Sequence, residues 1–431
     1  MLILNNESDA ERLILMKRKL YLLTETFPYG RGEKTFIIPE LKELNKQFDV
    51  TIISHASKAL CEDKENITKL PEDIKVVNID IRLPFLKRIA YFFRFFVDKD
   101  GIRETGYILK EKKSVFARLY QSIGFYALAR ENYLEMKKAG VFNKEGNGIY
   151  YTFWYFYYTY SISKNREFSP DSKLVVRTHR FDLYDAAYKG GRQPFKEIMD
   201  PKIDRIYFVA DQGKTYYLNK YKRDDSSKYT VSRLGTLDMR GEKIKEQNQN
   251  DMFRLVSCSS VIPLKRVDLI IRALALIDKP IIWEHFGTGV EYDHVLDLAK
   301  RMLHGKKNII FRMNGYVPNE EVLKYYQKYT VDCFISTSSS EGLPVSIQEA
   351  MSFGIPIIAT DVGGNRELFC ENGILLSANP SEQEVADAIS CICEMPEEER
   401  KILGRNSRNL WDGYYNAEQN SKRFAEELLK L

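Results

Sequence analysis

The chain is poor in the residues that build metal centres and disulfide frameworks. Of its 431 residues only six are cysteine and five histidine. Cys61, Cys258, Cys333, Cys370, Cys391 and Cys393 are scattered without paired spacing. Cys391-x-Cys393 falls in a helical pattern, where two residues apart is the wrong face for sharing a metal. All six are expected to be reduced, which places the protein in the cytosol. The histidines show no metal-ligand spacing, and the only Asp-x-Asp, Asp98-Lys99-Asp100, is expected to face solvent in a polar turn; no metal is expected. No apolar run approaches the length that crosses a bilayer. Residues 1–16 lack the basic-then-apolar layout of a secretion signal and read as a polar leader. A net charge of +5 is mild. With no supporting motif, it gives no reason to expect nucleic acid as a partner.

What is present is a two-domain alternation of strands and helices. A chain of this length exceeds one ordinary core. Lys19-Leu20-Tyr21-Leu22-Leu23-Thr24-Glu25 reads as a strand, followed by a loop carrying Gly30 and Gly32, a helix over 34–46 and a strand at 49–54. That is the opening βαβ unit of a parallel sheet. The pattern resumes at Phe253-Arg254-Leu255-Val256-Ser257-Cys258. The boundaries expected are an N-terminal domain over 17–240, a polar linker at 241–252, a C-terminal domain over 253–412 and a last segment at 413–431.

The most informative stretch is Glu341-Gly342-Leu343-Pro344-Val345-Ser346-Ile347-Gln348-Glu349. A buried strand precedes it at 331–337, a helical pattern follows to Gly354, and the next strand is 355–360. Glu341 thus lies in a strand-to-helix loop, and Glu349 one to two helical turns on. Doubly wound sheets bind ligands there, outside the carboxyl ends of strands and against the amides of a helix N-terminus. Two acids beside an anion site suit a ligand with one negative group and several hydroxyls, as in a nucleotide-sugar.

Ser340-Glu341-Gly342-Leu343-Pro344, Glu349-Ala350-Met351-Ser352-Phe353-Gly354-Ile355-Pro356 and Thr360-Asp361-Val362-Gly363-Gly364 resemble the donor-site signature of family 4 glycosyltransferases over about residues 255–390. The resemblance implies an α/β fold of two Rossmann-like doubly wound domains facing across a cleft, termed GT-B. It implies retaining transfer from a nucleoside-diphosphate sugar, most often a UDP-sugar, with no further cofactor. Lys265 matches the lysine that holds the diphosphate and stabilises it as it leaves. Glu349 would accept from the ribose hydroxyls, and Glu341 would reach or place the donor sugar. Gly342, Leu343, Pro344 and Val345 would present amides to sugar and phosphate, and the Gly287-Thr288-Gly289 loop would let backbone approach the nucleotide. His179, in Arg177-Thr178-His179-Arg180-Phe181-Asp182, matches an active-site histidine, with Arg177 and Asp182 behind it. Gly30 and Gly32 would form the acceptor-side loop, and the last helix would cross back to the first domain. One departure stands out: an arginine that usually precedes the lysine by five residues is replaced by Ser260, with Arg266 or the serine hydroxyls as substitutes. That loss keeps a non-catalytic nucleotide-sugar-binding subunit in view, beside an isomerase or phosphorylase on the same scaffold.

The stretch 84–96 is helical, basic and aromatic, with Lys87, Arg88 and Arg94 among five phenylalanines and a tyrosine. It suits a membrane interface; the alternative is a buried helix with snorkelling cations. Membrane contact is the preferred reading, because the acceptor expected on this domain is a saccharide, often lipid-linked, in capsule, exopolysaccharide or other surface-glycan synthesis. The aromatic run at 150–158 reads as core plus cleft wall.

Overall fold

The computed structural model describes residues 17–30, 32–142, 146–165, 169–188, 190–241 and 252–431. The polar leader and most of the expected linker lie outside these. The chain forms two compact units, one ending at Ser232 and completed by Ser421–Leu431, the other spanning Arg233–Asn420.

The first unit is built on seven strands: β1 (Arg18–Thr24), β2 (Phe48–Ser54), β3 (Lys75–Asn78), β4 (Ile149–Thr152), β5 (Lys173–Thr178), β6 (Arg205–Phe208) and β7 (Tyr229–Val231). All pair in parallel, in the order β3-β2-β1-β4-β5-β6-β7. The second unit has six: β8 (Phe253–Cys258), β9 (Ile281–Phe286), β10 (Ile309–Met313), β11 (Cys333–Ser336), β12 (Ile357–Thr360) and β13 (Gly373–Leu376). These are also parallel, in the order β10-β9-β8-β11-β12-β13. Helices cover both faces of such sheets, so central strands read as continuous apolar runs; every residue of β9 and β12 is buried. Strand order reverses between β1 and β4 in one sheet and between β8 and β11 in the other. Chain connections depart to opposite faces there and leave a crevice at the strand ends.

Between β3 and β4 the chain inserts three helices, Phe85–Val97, Lys99–Glu111 and Val115–Lys138. Asp98 and Asp100, expected to face solvent, are instead paired inside this layer. Asp98 binds Lys164 and accepts from Tyr126 Oη at 3.0 Å, while Asp100 accepts from Tyr160 Oη at 3.0 Å. Asp98 also caps the following helix through the Asp100 amide at 3.0 Å, a local role that explains the spacing without a metal. The aromatic run at 150–158 is in large part core: Tyr150, Tyr151, Phe153, Tyr155 and Tyr158 are buried, whereas Trp154, Phe156 and Tyr157 are half-buried.

The last helix, Ala417–Leu429, contributes Ser421 onward to the first unit. Phe424 packs on Tyr151 and Tyr207 with ring centroids at 5.0 and 4.9 Å, and the Arg177 guanidinium lies 4.1 Å from its ring. Arg177 is fully buried and ion-paired with Glu40. It is a core residue, not the site residue that its place two positions before His179 suggested. Residues 233–240, expected to close the first domain, belong to the second: Thr236 bridges Asn416, and a side chain on Gly235 would meet the Tyr415 carbonyl at 2.3 Å.

Candidate functional site

At the reversal point of the second sheet, the loop after β8 and the loop after β11 are stitched together. Thr337 Oγ1 donates to the carbonyls of Arg266 and Lys265 at 2.9 and 3.2 Å, and the Ser339 amide donates to the Leu264 carbonyl at 2.8 Å. Arg266, in a left-handed conformation at φ 47°, spreads its guanidinium over the Thr337, Ser338 and Ala378 carbonyls at 2.7–3.0 Å and Asn379 Oδ1 at 2.8 Å. The expectation that Arg266 holds the donor is therefore corrected. Its fork is spent on two loops, at 337–338 and 378–379, which it fastens to its own, and it offers no second cation for a diphosphate. Ser260 is exposed on the same loop.

The stitching brings Lys265 to Glu341, with Nζ 2.5 Å from Oε1. Neither partner is far from water-excluded surroundings, the side chains being 21% and 10% exposed. From Glu341 the chain runs through Gly342, Leu343 and Pro344 into the helix Val345–Ser352. No side chain caps this helix start and its first turn carries no acid. The helix at Glu382–Glu394, by contrast, is capped by Ser381. Uncapped amides with the positive end of the helix dipole form an anion site beside the Lys265 ammonium.

Gly363 and Gly364 explain their own place in the motif. Gly364 donates its amide to the Gly342 carbonyl at 2.8 Å, and a β-carbon on Gly363 would sit 1.9 Å from the Glu341 carbonyl oxygen. Gly363 also has φ 55°. Gly363→Ala is expected to cost more than about 2 kcal/mol and to displace Glu341; urea unfolding and ligand binding measured on the same preparation check both effects.

Glu349 lies one turn into the helix, 6% exposed, with Oε1 accepting from Asn319 Nδ2 at 2.9 Å. Burial pushes its carboxyl up to about 7, against the opposing pull of the Asn319 hydrogen bond. Glu349 and Lys265 both act on the Cys258 thiol at the end of β8, which burial and Glu349 drive up to about 12 while Lys265 pulls it down. Lysine, both acids and the helix amides thus gather at one strand end. Asn319 was not singled out from sequence; nothing marks an asparagine thirty residues away as the partner of Glu349.

The glycines after β9 have a packing role of their own. Gly287 has φ 145° and a side chain there would meet the Ser259 carbonyl at 1.8 Å; at Gly289 the Val261 carbonyl would be 2.3 Å away. They admit the backbone of the loop after β8, and so help to set the path that ends at Lys265.

In the first unit, the loop after β1 is organised by Glu33, also missed from sequence. Its carboxylate accepts from the amides of Glu25, Thr26 and Phe27 at 2.6–3.0 Å and from Trp154 Nε1 at 2.6 Å. Gly30, at φ 88°, takes the turn that lets Glu33 fold back; a side chain at Gly32 would meet nothing within 4 Å. Burial and the neighbouring Glu33 push Glu25 up to about 7. His179 follows β5 with its ring against Trp154 and Phe153, at centroid distances of 4.2 and 4.8 Å. Its amide donates to Asp182 Oδ1 at 2.5 Å, and Asp182 Oδ2 accepts from the Tyr155 amide at 2.7 Å. Asp182 is a backbone tie, while His179 Nε2 is buried with no hydrogen-bond partner among the described residues. His179, Gly30 and Gly32 therefore belong to one unit, and Lys265, Glu341 and Glu349 to the other. Among the described residues no group of three or more His, Cys, Asp or Glu is placed to hold a metal.

Residues 239–410 match the family described as Glycosyl transferases group 1. A UDP-N-acetylglucosamine–peptide N-acetylglucosaminyltransferase GtfA subunit of Streptococcus agalactiae is 29% identical over 158 residues, covering 36% of this chain and 29% of that protein. The glycosyltransferase TuaC of Bacillus subtilis is 39% identical over 92 residues, covering 21% of this chain and 22% of its own length. The chain thus spans less than a third of the length of these two relatives. A crystal structure of HepE from Anabaena, in complex with UDP, superposes with a TM-score of 0.62 at 16% identity, covering 96% of this chain and all of that one. Two parallel-sheet α/β units of the GT-B kind make up the fold, and the stretch that builds the Lys265–Glu341–Glu349 site falls wholly within the segment matching the group 1 glycosyltransferases.

Proposed function

We propose that this protein is a retaining glycosyltransferase. It moves a sugar from a UDP-sugar to a lipid-linked saccharide during assembly of a cell-surface glycan, without a metal, at the cytoplasmic face of a membrane. The observation that carries this reading is the meeting of Lys265 with Glu341 at the reversal point of the second sheet, beside the open amides of the Val345–Ser352 helix. A diphosphate is the ligand such a site suits, and Glu349 beyond it suits vicinal hydroxyls of ribose. The names of the relatives and the UDP in the HepE structure point to uridine as the base.

In this mechanism the acceptor hydroxyl attacks the anomeric carbon from the face that the diphosphate leaves. As the bond to the diphosphate breaks, its oxygen gains negative charge and takes the acceptor proton. Lys265 and the helix amides stabilise that charge where it develops. Glu341, the acid beside Lys265, is assigned to the hydroxyls of the donor sugar, and the mechanism uses no covalent intermediate. Before donor arrives, Glu341 neutralises Lys265; the diphosphate displaces this carboxylate, which is then available to the sugar hydroxyls. Because the Arg266 fork is engaged elsewhere, Lys265 is the cation on which the mechanism relies.

A thermal-shift comparison of UDP-, GDP- and ADP-sugars, followed by nucleotide release with and without saccharide acceptors in the presence of EDTA, tests the proposal. Stabilisation by UDP-sugars and acceptor-dependent UDP release in EDTA are expected. Binding without turnover under every acceptor condition would favour a nucleotide-sugar-binding subunit, and product formation without release of nucleoside diphosphate would favour an isomerase.

A further inference from the structure

The helix Phe85–Val97 is thirteen residues long and buries only Phe95. Phe85, Leu86, Ile89, Phe92, Phe93, Phe96 and Val97 are all exposed, Leu86 and Val97 by nearly four-fifths. No helix among the described residues is long and apolar enough to cross a membrane. At 1.5 Å per residue this one is about 20 Å long, a length that lies in an interface rather than spanning it.

A second exposed apolar group lies in the same helical layer, where the helix Lys99–Glu111 turns into Val115–Lys138. Leu109 is 53% exposed, Phe116 90% and Tyr120 81%. The turn between them, with Lys112 and Ser114 both left-handed, is exposed throughout and carries Lys112 and Lys113, next to exposed Lys110. Phe116 and Tyr120 are four residues apart and share one face of their helix. Contacts along Val115–Lys138 set the two groups apart: Lys87 and Tyr91 bind Glu131, near one end of that helix, and Glu111 binds Arg118, near the other. Glu131 and Arg118 are thirteen residues apart, again about 20 Å.

We infer that the tip formed by Leu109, Lys112, Lys113, Phe116 and Tyr120 is a second membrane anchor, which docks on an anionic bilayer together with the helix Phe85–Val97. The inference rests on the membrane-surface reading of that helix and extends it. Charge selects the occupant. Lys110, Lys112 and Lys113 at the tip, and Arg88 and Arg94 on the first helix, are exposed beside the apolar side chains. The acids of the layer are largely turned inward, with Glu104 and Asp100 buried and Asp98 paired to Lys164. A second copy of this surface would set lysine against lysine, whereas an anionic headgroup layer neutralises them while the rings enter the interface. Two anchors on one rigid layer also fix orientation, since engaging the first makes the second an intramolecular event.

Sedimentation of the full chain with vesicles of phosphatidylcholine and phosphatidylglycerol tests this. Phe116→Ser with Tyr120→Ser should weaken binding about tenfold or more at an unchanged melting temperature. Lys112→Gln with Lys113→Gln should weaken it on anionic vesicles and leave any residual binding to neutral ones unaltered. If Phe92→Ser with Phe93→Ser releases the protein while the tip variants bind as wild type, the second anchor is refuted and the first helix stands alone. If wild type binds no vesicles at any phosphatidylglycerol content, the membrane reading itself falls. Light scattering in the same buffers supplies the last outcome: a dimer that the tip substitutions dissociate would assign the patch to a second copy and overturn the proposal.

Discussion

Lys265→Ala is expected to lower turnover by about two to three orders of magnitude, the effect of removing one well-aimed donor from a site of developing negative charge. Three features make the effect large. The side chain is mostly withdrawn from water, with 21% exposed. The Arg266 guanidinium is held by three carbonyls and Asn379, so it is not free to take over. Ser260 puts a neutral group where the resembling family has an arginine. The same substitution leaves Glu341 unpaired at 10% exposure and should cost about 1–3 kcal/mol of stability without unfolding the protein. Steady-state UDP release and a melting curve on the same variant are the two measurements required. An unchanged rate would remove Lys265 from the mechanism. A collapsed melting temperature would instead make the Lys265–Glu341 pair a folding element. Lys265→Arg is a useful companion, since it keeps the charge but changes its reach.

The second large effect concerns pH. The Glu349 carboxyl is pushed up to about 7 by burial, from an ordinary 4.5. The folded protein therefore binds more protons than the unfolded chain between those values, and stability falls as pH rises through that window. The penalty is absent below about pH 4.5 and complete above about pH 7, where it reaches on the order of 3 kcal/mol. Glu349→Gln removes it. The variant should be more stable than wild type at pH 8 by up to that amount, with the difference vanishing near pH 4.5. Glu25, also raised to about 7 and for a similar reason, adds a slope of the same sign, so the comparison between variant and wild type isolates Glu349.

Ligand binding should run the other way. An ionised Glu349 accepts hydrogen bonds from ribose hydroxyls, so affinity for a UDP-sugar, whose diphosphate has no ionisation of its own in this range, should rise up to about tenfold per pH unit below 7 and level off above it. Binding near pH 6 should then release a proton. In Glu349→Gln the affinity should be lower at pH 8 and flat with pH. Calorimetry in two buffers of different ionisation enthalpy measures the proton release directly. Affinity that is independent of pH in wild type would contradict ribose recognition by the ionised carboxylate. A site residue that destabilises its own fold when charged is a common compromise, since the ligand supplies the partners that burial took away.

How much of this was legible beforehand follows from the range of the interactions involved. The strand-loop-helix layout around Glu341 and Glu349 was readable because it is local. A run of buried apolar residues, a glycine-proline break and a helical pattern succeed one another within about thirty residues, as the observed β11, Val345–Ser352 and β12 show. The exposed aromatic helix was readable in outline, because ten apolar residues in thirteen are more than one buried stripe of a helix can hold, and only Phe95 is buried. Local pattern misled at Asp98 and Asp100. Two acids around a lysine read locally as a solvated turn, but Lys164, Tyr126 and Tyr160 arrive from other helices to pair with them. It was incomplete at Gly287 and Gly289, whose close packing against the loop after β8 is a long-range contact that no local pattern shows.

By itself the sequence determined which segments are strands and helices, that two parallel sheets result, and which short motif carries the acids. Tertiary structure decided what those residues do. Arg266 became a clamp because three carbonyls from distant loops converge on it, and Lys265 met Glu341 across 76 positions because β8 and β11 are neighbours in the sheet. Glu349 acquired its raised carboxyl from residues packed around it. Charge pairing and desolvation depend on distance in space, which strand order sets and one-dimensional spacing does not.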